Sequence, residues 1–300
     1  MSSLLDSDKA TDTVAKKDDN KRVKKRKNRN QWPFIIIFII GLLILSYPLV
    51  SRFYYRVESN TQIVDFEAEK KKLTAEEVNK RMVLARAYNR SLNNVITADP
   101  YIRKQLDAGK KEYARMLEVH EKMGHIEIPT IDVNVPIYAG TSEEVLQKGA
   151  GHLEGTSLPV GGGSTHTVIT AHTGLPTAEL FTNLIKVKYG DKFYIHNLSS
   201  VLAYQVDQIK KVEPSNFNDL LIEPGKDYAT LLTCTPIMVN SHRLLVRGHR
   251  VPYNPNEYDS LKKKNKLIFW GKVLGFILLI ALIIRWIYKK VKKKKSKEEV

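Results

Sequence analysis

The run Thr230-Leu231-Leu232-Thr233-Cys234-Thr235-Pro236 holds the only cysteine in 300 residues, and Arg243 follows nine positions later. A thiolate attacks carbonyl carbon when an imidazole stands beside it and a cation or N–H donor meets the developing oxyanion. A single cysteine cannot form an internal disulfide, so the thiol is either a small buried hydrophobe or a reactive group. Its position favours the reactive reading, because Cys234 ends an apolar run beside a proline-marked loop, where a scaffold displays catalytic groups. Arg243 and Arg247 follow on the next strand-like run and share a face if that run is extended. Only one of them need serve the thiol, and the other then reads as a solvated charge or an ion pair on the surface.

The eight histidines supply the candidate partners. His172 ends Val168-Ile169-Thr170-Ala171 and opens the loop Thr173-Gly174-Leu175-Pro176, the same strand-end arrangement as Cys234. It is the first candidate base, and His166 is the second. His242 adjoins Arg243, so strand alternation turns it away if Arg243 faces the thiol. His152 and His249 are, like His166, harder to set aside, while His120, His125 and His196 read as surface residues at a junction or in a polar turn. No group of His, Asp and Glu stands at metal-ligand spacing, so neither metal nor cofactor is expected. Gly161-Gly162-Gly163 lacks the strand and helix that flank a phosphate loop and reads as a flexible turn.

The elements that must position these groups change character along the chain. From Tyr54 to about Glu121 the residues favour helix, with a capping box at Thr74 to Glu77 and Val78, Met82, Ala85 and Leu92 at roughly helical spacing. Thr97-Ala98-Asp99-Pro100-Tyr101 breaks this helical preface, because Pro100 lacks an N–H and biases its predecessor out of the α region. From His125 onward, short Val, Ile, Thr and Tyr runs alternate with Gly, Pro, Asn and Asp clusters: HIEIP, IDVNVPIYAG, THTVITAH, DKFYIHN, VLAYQVDQIKKVEP, YATLLTCT and HRLLVRGHRVPY. Such a pattern predicts an all-β sandwich or barrel of about 130 residues.

A formal net charge of +16 raises nucleic acid as a partner, but its distribution argues otherwise. Residues 1–32 hold ten Lys or Arg against five Asp, and the tail from Lys289 holds seven Lys against two Glu, a net +5 in each flank. Each flank borders an apolar run. Pro33 to Val50 is uncharged and as a helix would extend roughly 27 Å. Leu267 to Tyr288 keeps Lys272 and Arg285 towards its ends, with Trp270 and Trp286 near the two rims. A cleaved signal peptide is the other reading of the first run, but no small-residue cleavage site follows it. Basic flanks on the cytoplasmic side place both termini inside the cell and residues 51–266 outside. The four lysines of LKKKNK, 261–266, sit awkwardly on that outer face; they read as a solvated linker or as a contact with anionic lipid or wall polymer.

The chain therefore divides into a basic tail (1–32), a membrane helix (33–50), a helical region (51–120), a β domain (121–255), a linker (256–266), a second membrane helix (267–288) and a basic tail (289–300). With TLLTC, the runs GHIEIPTIDVNVPIYAGTS (124–142), GAGHLEGTSLPVGG (149–162) and TVITAHTGL (167–175) occur in an order that resembles the sortases, cysteine transpeptidases of Gram-positive cell surfaces. The likeness covers about residues 120–253. Asp99-Pro100-Tyr101 and the C-terminal apolar run are similar to the pilus-assembling class C, whose lid carries an Asp-Pro-aromatic motif; Tyr in place of the commoner Trp or Phe is a mild departure. The resemblance implies a mainly β fold, an eight-stranded sortase β-barrel with an N-terminal helical region, a lid at 97–103 and flanking transmembrane helices. It implies Cys234 as nucleophile, His172 as acid and base, Arg243 as the oxyanion's partner, and Asp99 and Tyr101 as lid residues over Arg243 and the thiol. Its chemistry implies cleavage of an LPXTG-like sorting signal between Thr and Gly, then transfer of the thioacyl group to a pilin lysine. No cofactor and no nucleic acid enter; the partners are pilin subunits and the membrane. Three rivals stand beside this reading: a housekeeping sortase that anchors proteins to peptidoglycan, a hydrolytic thiol protease, and a non-enzymatic membrane-anchored surface domain.

Overall fold

A computed structural model describes residues 32–92 and 116–295, without part of the side chains in the two terminal helices. The chain divides into two units, Met1–Ser46 and Tyr47–Val300. The first contributes the start of helix α1 (Trp32–Lys70), where the Ser46 hydroxyl donates to the Leu43 carbonyl at 2.9 Å. The second holds the rest of α1, helix α2 (Ala75–Ser91), eight strands, a short helix α3 (Glu143–Lys148) and the terminal helix α4 (Pro255–Lys295). Among the described residues no helix is long and apolar enough to cross a membrane. The spans expected at 33–50 and 267–288 therefore stand as expectations, within α1 and α4 respectively.

The strands are β1 (Lys122–Ile128), β2 (Val133–Ala139), β3 (Ala150–His152), β4 (Thr165–Thr170), β5 (Lys192–His196), β6 (Val201–Val212), β7 (Asp227–Thr235) and β8 (His242–Val251). They close into a barrel in the order β1-β2-β3-β4-β7-β8-β6-β5, with β2–β3 and β4–β7 parallel and the other pairs antiparallel. Closure removes sheet edges, so every strand finds backbone partners on both sides.

On β4 and β7 both faces are covered, which explains near-continuous burial instead of strict alternation. Ile169, Ala229 and Leu231 point into the main core with Phe193, Tyr204 and Val246. Val168, Leu232 and Leu245 point the other way, into a second cluster roofed by Val212, Phe217 and Leu220. Each fully buried Leu or Ile here contributes on the order of 2 kcal/mol.

The helical preface packs on the barrel. Thr74 caps α2 by accepting from the Glu77 N–H at 3.2 Å. Glu77 itself turns to Arg81 at 2.6 Å, so one half of the capping box forms. Phe66 of α1 and Met82 and Ala85 of α2 enter the main core. Asn89 stitches α2 to the segment after β3, donating to the Leu158 carbonyl at 3.1 Å and accepting from the Leu158 N–H at 2.7 Å.

Residues 256–266, read above as a linker, are the first turns of α4 and are docked. Tyr258 is buried between Tyr194 and Tyr253, and its hydroxyl donates to Glu127 Oε2. Lys262 Nζ donates to Glu127 Oε1 at 2.9 Å and lies 4.7 Å from the Tyr258 ring centroid. One of the four awkward lysines thus has a buried carboxylate as its partner.

Two histidines are locked inside the barrel wall. His152 is fully buried with Nε2 2.8 Å from the Ser157 carbonyl, and burial pushes its pKa down to about 4. His166 contacts the Leu221 carbonyl through Nδ1 at 2.9 Å and the Thr230 hydroxyl through Nε2 at 2.7 Å, and burial likewise pushes it down to about 4. A base whose folded pKa lies below its unfolded value of about 6.5 takes up protons on unfolding, so its stabilisation is lost as pH falls from about 6.5 towards 4. Thermal midpoints recorded by circular dichroism across that range should fall steadily with acidity. A flat profile would show that these histidines stay charged in the fold.

Candidate active site

Strand β7 ends the TLLTC run on Cys234, and β8 begins one residue before Arg243. Antiparallel register sets Cys234 directly opposite Arg243, and Thr235 opposite His242. Directly opposed residues project to the same side with Cβ atoms about 5 Å apart, so thiol and guanidinium share a face while His242 lies on the other. Cys234 is 7% exposed and Arg243 6%. Arg243 Nη1 donates to the Asn240 carbonyl at 3.0 Å and to the His242 carbonyl at 3.2 Å, which fixes the guanidinium at the mouth of the β7–β8 loop.

His172 reaches the same end of the barrel by a parallel route. The β4–β7 ladder pairs Thr170 with Leu232. It continues through the Ala171 N–H to the Leu232 carbonyl at 3.2 Å, and the Thr233 hydroxyl donates to the Ala171 carbonyl at 2.7 Å. Two residues past the last paired position stand His172 on one strand and Cys234 on the other. His172 Nε2 lies 3.2 Å from Glu143 Oε1 at the start of α3, and the same carboxylate oxygen accepts from Gln147 at 2.6 Å. The sequence reading missed Glu143; its signal was a carboxylate in the first turn after the Gly140-Thr141-Ser142 loop.

The loop after Cys234 adds a feature that composition alone did not flag. Ile237, Met238 and Val239 are exposed beside the site, and Met238 and Asn240 take positive φ of 71° and 56°. Gly174 also takes positive φ, 74°, and a Cβ there would sit 2.7 Å from Ile237 Cγ2. The loop that carries His172 and the loop that follows Cys234 are thus in contact through a position with no room for a side chain.

The second candidates fall elsewhere. Both ring nitrogens of His166 are engaged, and its register partner is Tyr228, six positions before Cys234. Arg247 pairs with Asp207 at 3.0 Å and Glu223 at 3.4 Å and lies 4.1 Å from the Tyr228 ring centroid, a structural arrangement. Asp99, Tyr101 and the loop 97–103 lie outside the described residues.

Two readings of the histidines need correction. His125 is 4% exposed and stacks on His196, so neither is a surface residue. Nor is the chain without a ligand-like cluster: His125, Glu127 and His196 bring candidate ligand atoms within 4.8 Å of one another. Linear spacing hid it, because the third member comes from a partner strand.

A buried thiol facing a fixed guanidinium, with an imidazole–carboxylate pair alongside, suits nucleophilic attack on a carbonyl and stabilisation of the oxyanion. Comparison with known proteins agrees. A family model described as the sortase domain matches residues 126–251. The crystal structure of sortase C-1 from Streptococcus pneumoniae is 65% identical and superposes with a TM-score of 0.62 over 65% of this chain and 100% of that one. The pilus-related sortase C of Group B Streptococcus is 67% identical, with a TM-score of 0.61 over 63% of this chain and 96% of that one. Sortase A of Bacillus anthracis is 27% identical over 135 residues, 45% of this chain. The chain spans 62% of that curated relative's length.

The two arginines separate by experiment. Arg247→Ala should lower stability by about 2 kcal/mol in urea unfolding, because it leaves Asp207 with His249 alone and uncovers Tyr228, and should leave Cys234 alkylation within twofold of wild type. Arg243→Ala should slow alkylation at neutral pH by about tenfold, since the cation opposite the thiol favours thiolate. The reverse pattern would exchange their roles.

Proposed function

The chain belongs to the sortase family, and from that premise we propose that it polymerises pilins as a cysteine transpeptidase. The reading rests on one observation: the barrel's register sets Cys234 opposite Arg243 and brings His172 to the same end. The Cys234 thiolate adds to the Thr carbonyl of an LPXTG-like Thr-Gly bond, and the Arg243 guanidinium donates to the resulting oxyanion. Collapse of the tetrahedral species expels the Gly amine, which takes its proton from the His172 imidazolium, and leaves a thioester on Cys234. A pilin lysine amine then attacks the thioester and gives its proton back to His172. Thiolate departs, and an isopeptide bond joins two subunits. The cleaved peptide bond supplies the free energy, so no nucleotide is consumed.

Glu143, 3.2 Å from His172 Nε2, holds the imidazole in place at the strand end. The exposed Ile237-Met238-Val239 rim offers apolar surface to the Leu-Pro end of a sorting signal. Asp99 and Tyr101 form a lid, the aspartate pairing with Arg243 and the ring covering the thiol. Segments 33–50 and 267–288 span the cell membrane, with both basic tails in the cytoplasm and the barrel outside. The pilus-related sortase C among the neighbours favours lysine of another pilin over a peptidoglycan amine as acceptor.

Incubation with pilin subunits should yield a ladder of covalent oligomers resistant to SDS and reductant. Cys234→Ala should abolish both the ladder and the thioacyl adduct. His172→Ala should cost on the order of 10²–10⁴ in rate and Arg243→Ala on the order of 10²–10³. A ladder from Cys234→Ala protein would end the proposal, and exclusive transfer to a wall-precursor amine would point to anchoring instead. For the lid, Asp99→Ala combined with Tyr101→Ala should speed alkylation of Cys234; unchanged kinetics would remove loop 97–103 from the site.

A further inference from the structure

The imidazole of His172 has two nitrogens, and a transfer cycle needs one of them to release and recover a proton. Which nitrogen does so is set by the hydrogen bond that the other one makes. Nε2 lies 3.2 Å from Glu143 Oε1. A carboxylate oxygen only accepts, so Nε2 is the donor and keeps its hydrogen in the neutral and the charged ring alike. The proton that comes and goes is therefore the one on Nδ1.

The fold holds both ends of this contact. The Phe181 N–H donates to the His172 carbonyl at 3.0 Å, which fixes the backbone and leaves the ring torsions to a separate restraint. Glu143 is the first residue of α3, whose Val145 and Leu146 are buried. A Cβ at Gly151 of β3 would meet Val145 Cγ1 and Leu146 Cδ2 at 3.2 Å each, so the helix rests directly on that strand. Gly151 in turn pairs with Thr170 of β4, two residues before His172. Gln147, one turn along α3, donates to the same Glu143 Oε1 at 2.6 Å. The Glu143 side chain is 69% exposed, and a solvated glutamate ordinarily samples many rotamers. Here a helix seated on the barrel, a neighbouring amide and the imidazole itself restrain it, as a supporting shell restrains a reactive group.

We propose that Glu143 is the positioning residue of His172, a role that rests on the transpeptidase reading above: it holds the ring as the Nε2–H tautomer and makes Nδ1 the nitrogen that shuttles the proton. In the first half-reaction the imidazolium passes its Nδ1 proton to the Gly nitrogen as the Thr–Gly bond breaks and the thioester forms on Cys234. The neutral ring left behind carries its hydrogen on Nε2 and its lone pair on Nδ1. In the second half-reaction that lone pair takes a proton from the attacking lysine amine as the carbon–sulfur bond breaks and thiolate leaves. Glu143 exchanges no proton in either step. Without its carboxylate the neutral ring can place its hydrogen on Nδ1, and the lone pair that must accept from lysine is then on the wrong nitrogen.

Full-length protein labelled with ¹⁵N in histidine tests this by NMR with no substrate present. At alkaline pH the His172 ring, assigned by its loss in His172→Gln, should show a protonated, pyrrole-type Nε2 and a pyridine-type Nδ1. Glu143→Ala should add a population with the proton on Nδ1. Glu143→Gln, whose amide oxygen still accepts, should keep the wild-type tautomer. With an LPXTG-like peptide, Glu143→Ala should lower kcat about tenfold with KM changed by less than about twofold, and Glu143→Gln should recover most of the loss. A wild-type ring protonated on Nδ1, a tautomer unmoved in Glu143→Ala, or Glu143→Gln as slow as Glu143→Ala would each overturn the proposal. Should Glu143→Ala fail to fold, the wild-type spectrum decides alone: hydrogen on Nε2 supports the assignment, and hydrogen on Nδ1 overturns it. Because the spectrum needs no substrate, a protein with the expected tautomer that joins no pilins would sink the pilin reading and still support this one.

Discussion

The antiparallel register between β7 and β8 is the constraint on which the rest of this molecule depends. It runs unbroken from Tyr228 opposite His249 to Thr235 opposite His242. Because successive side chains alternate, a slip of one residue would replace Arg243 by His242 or Leu244 opposite the thiol and turn Leu231 out of the core. Apolar packing and site geometry are therefore fixed by the same pairing. The parallel β4–β7 ladder extends that logic to His172, which the Thr233-to-Ala171 bond ties to the strand that carries Cys234.

Burial of charge follows a division of labour along β8. Arg247 sits among two carboxylates and an aromatic face, so its cost of desolvation is met inside the fold. Arg243 donates to backbone carbonyls of its own loop, and these contacts aim the guanidinium. A guanidinium aimed in that way is placed to meet an anion that forms during a reaction. The histidines also divide into two kinds: burial holds His152 and His166 neutral, His166 being engaged through both ring nitrogens, whereas His172 stands at a strand end beside a carboxylate.

Much of this was legible in the linear chain, and for identifiable reasons. Short β-branched runs between turn residues marked the strands, and the break at Thr235-Pro236 marked the display end of β7. Alternation correctly set Arg243 and His242 on opposite faces. Equal spacing could not choose between Arg243 and Arg247, since both lie on one face and only the partner strand distinguishes them. Histidine burial was hidden for the same reason: His125 and His196 meet across a β1–β5 pairing 71 positions apart in sequence, and only closure of the barrel brings them together. The docking of Lys262 was hidden because the buried carboxylate that receives it lies on β1, far upstream, while Lys263 and Lys264 are exposed.

The contact between Gly174 and Ile237 gives the two loops at the reactive end a shared history. Neither can lengthen, shorten or change shape without the other yielding space, because the backbone at Gly174 already occupies the distance a methyl group would need. In related chains the two loops should therefore vary as a pair. A substrate preference written into the residues after Pro236 would then have to be matched by a compensating change near Gly174, and grafting either loop alone onto another scaffold would carry only half of the specificity.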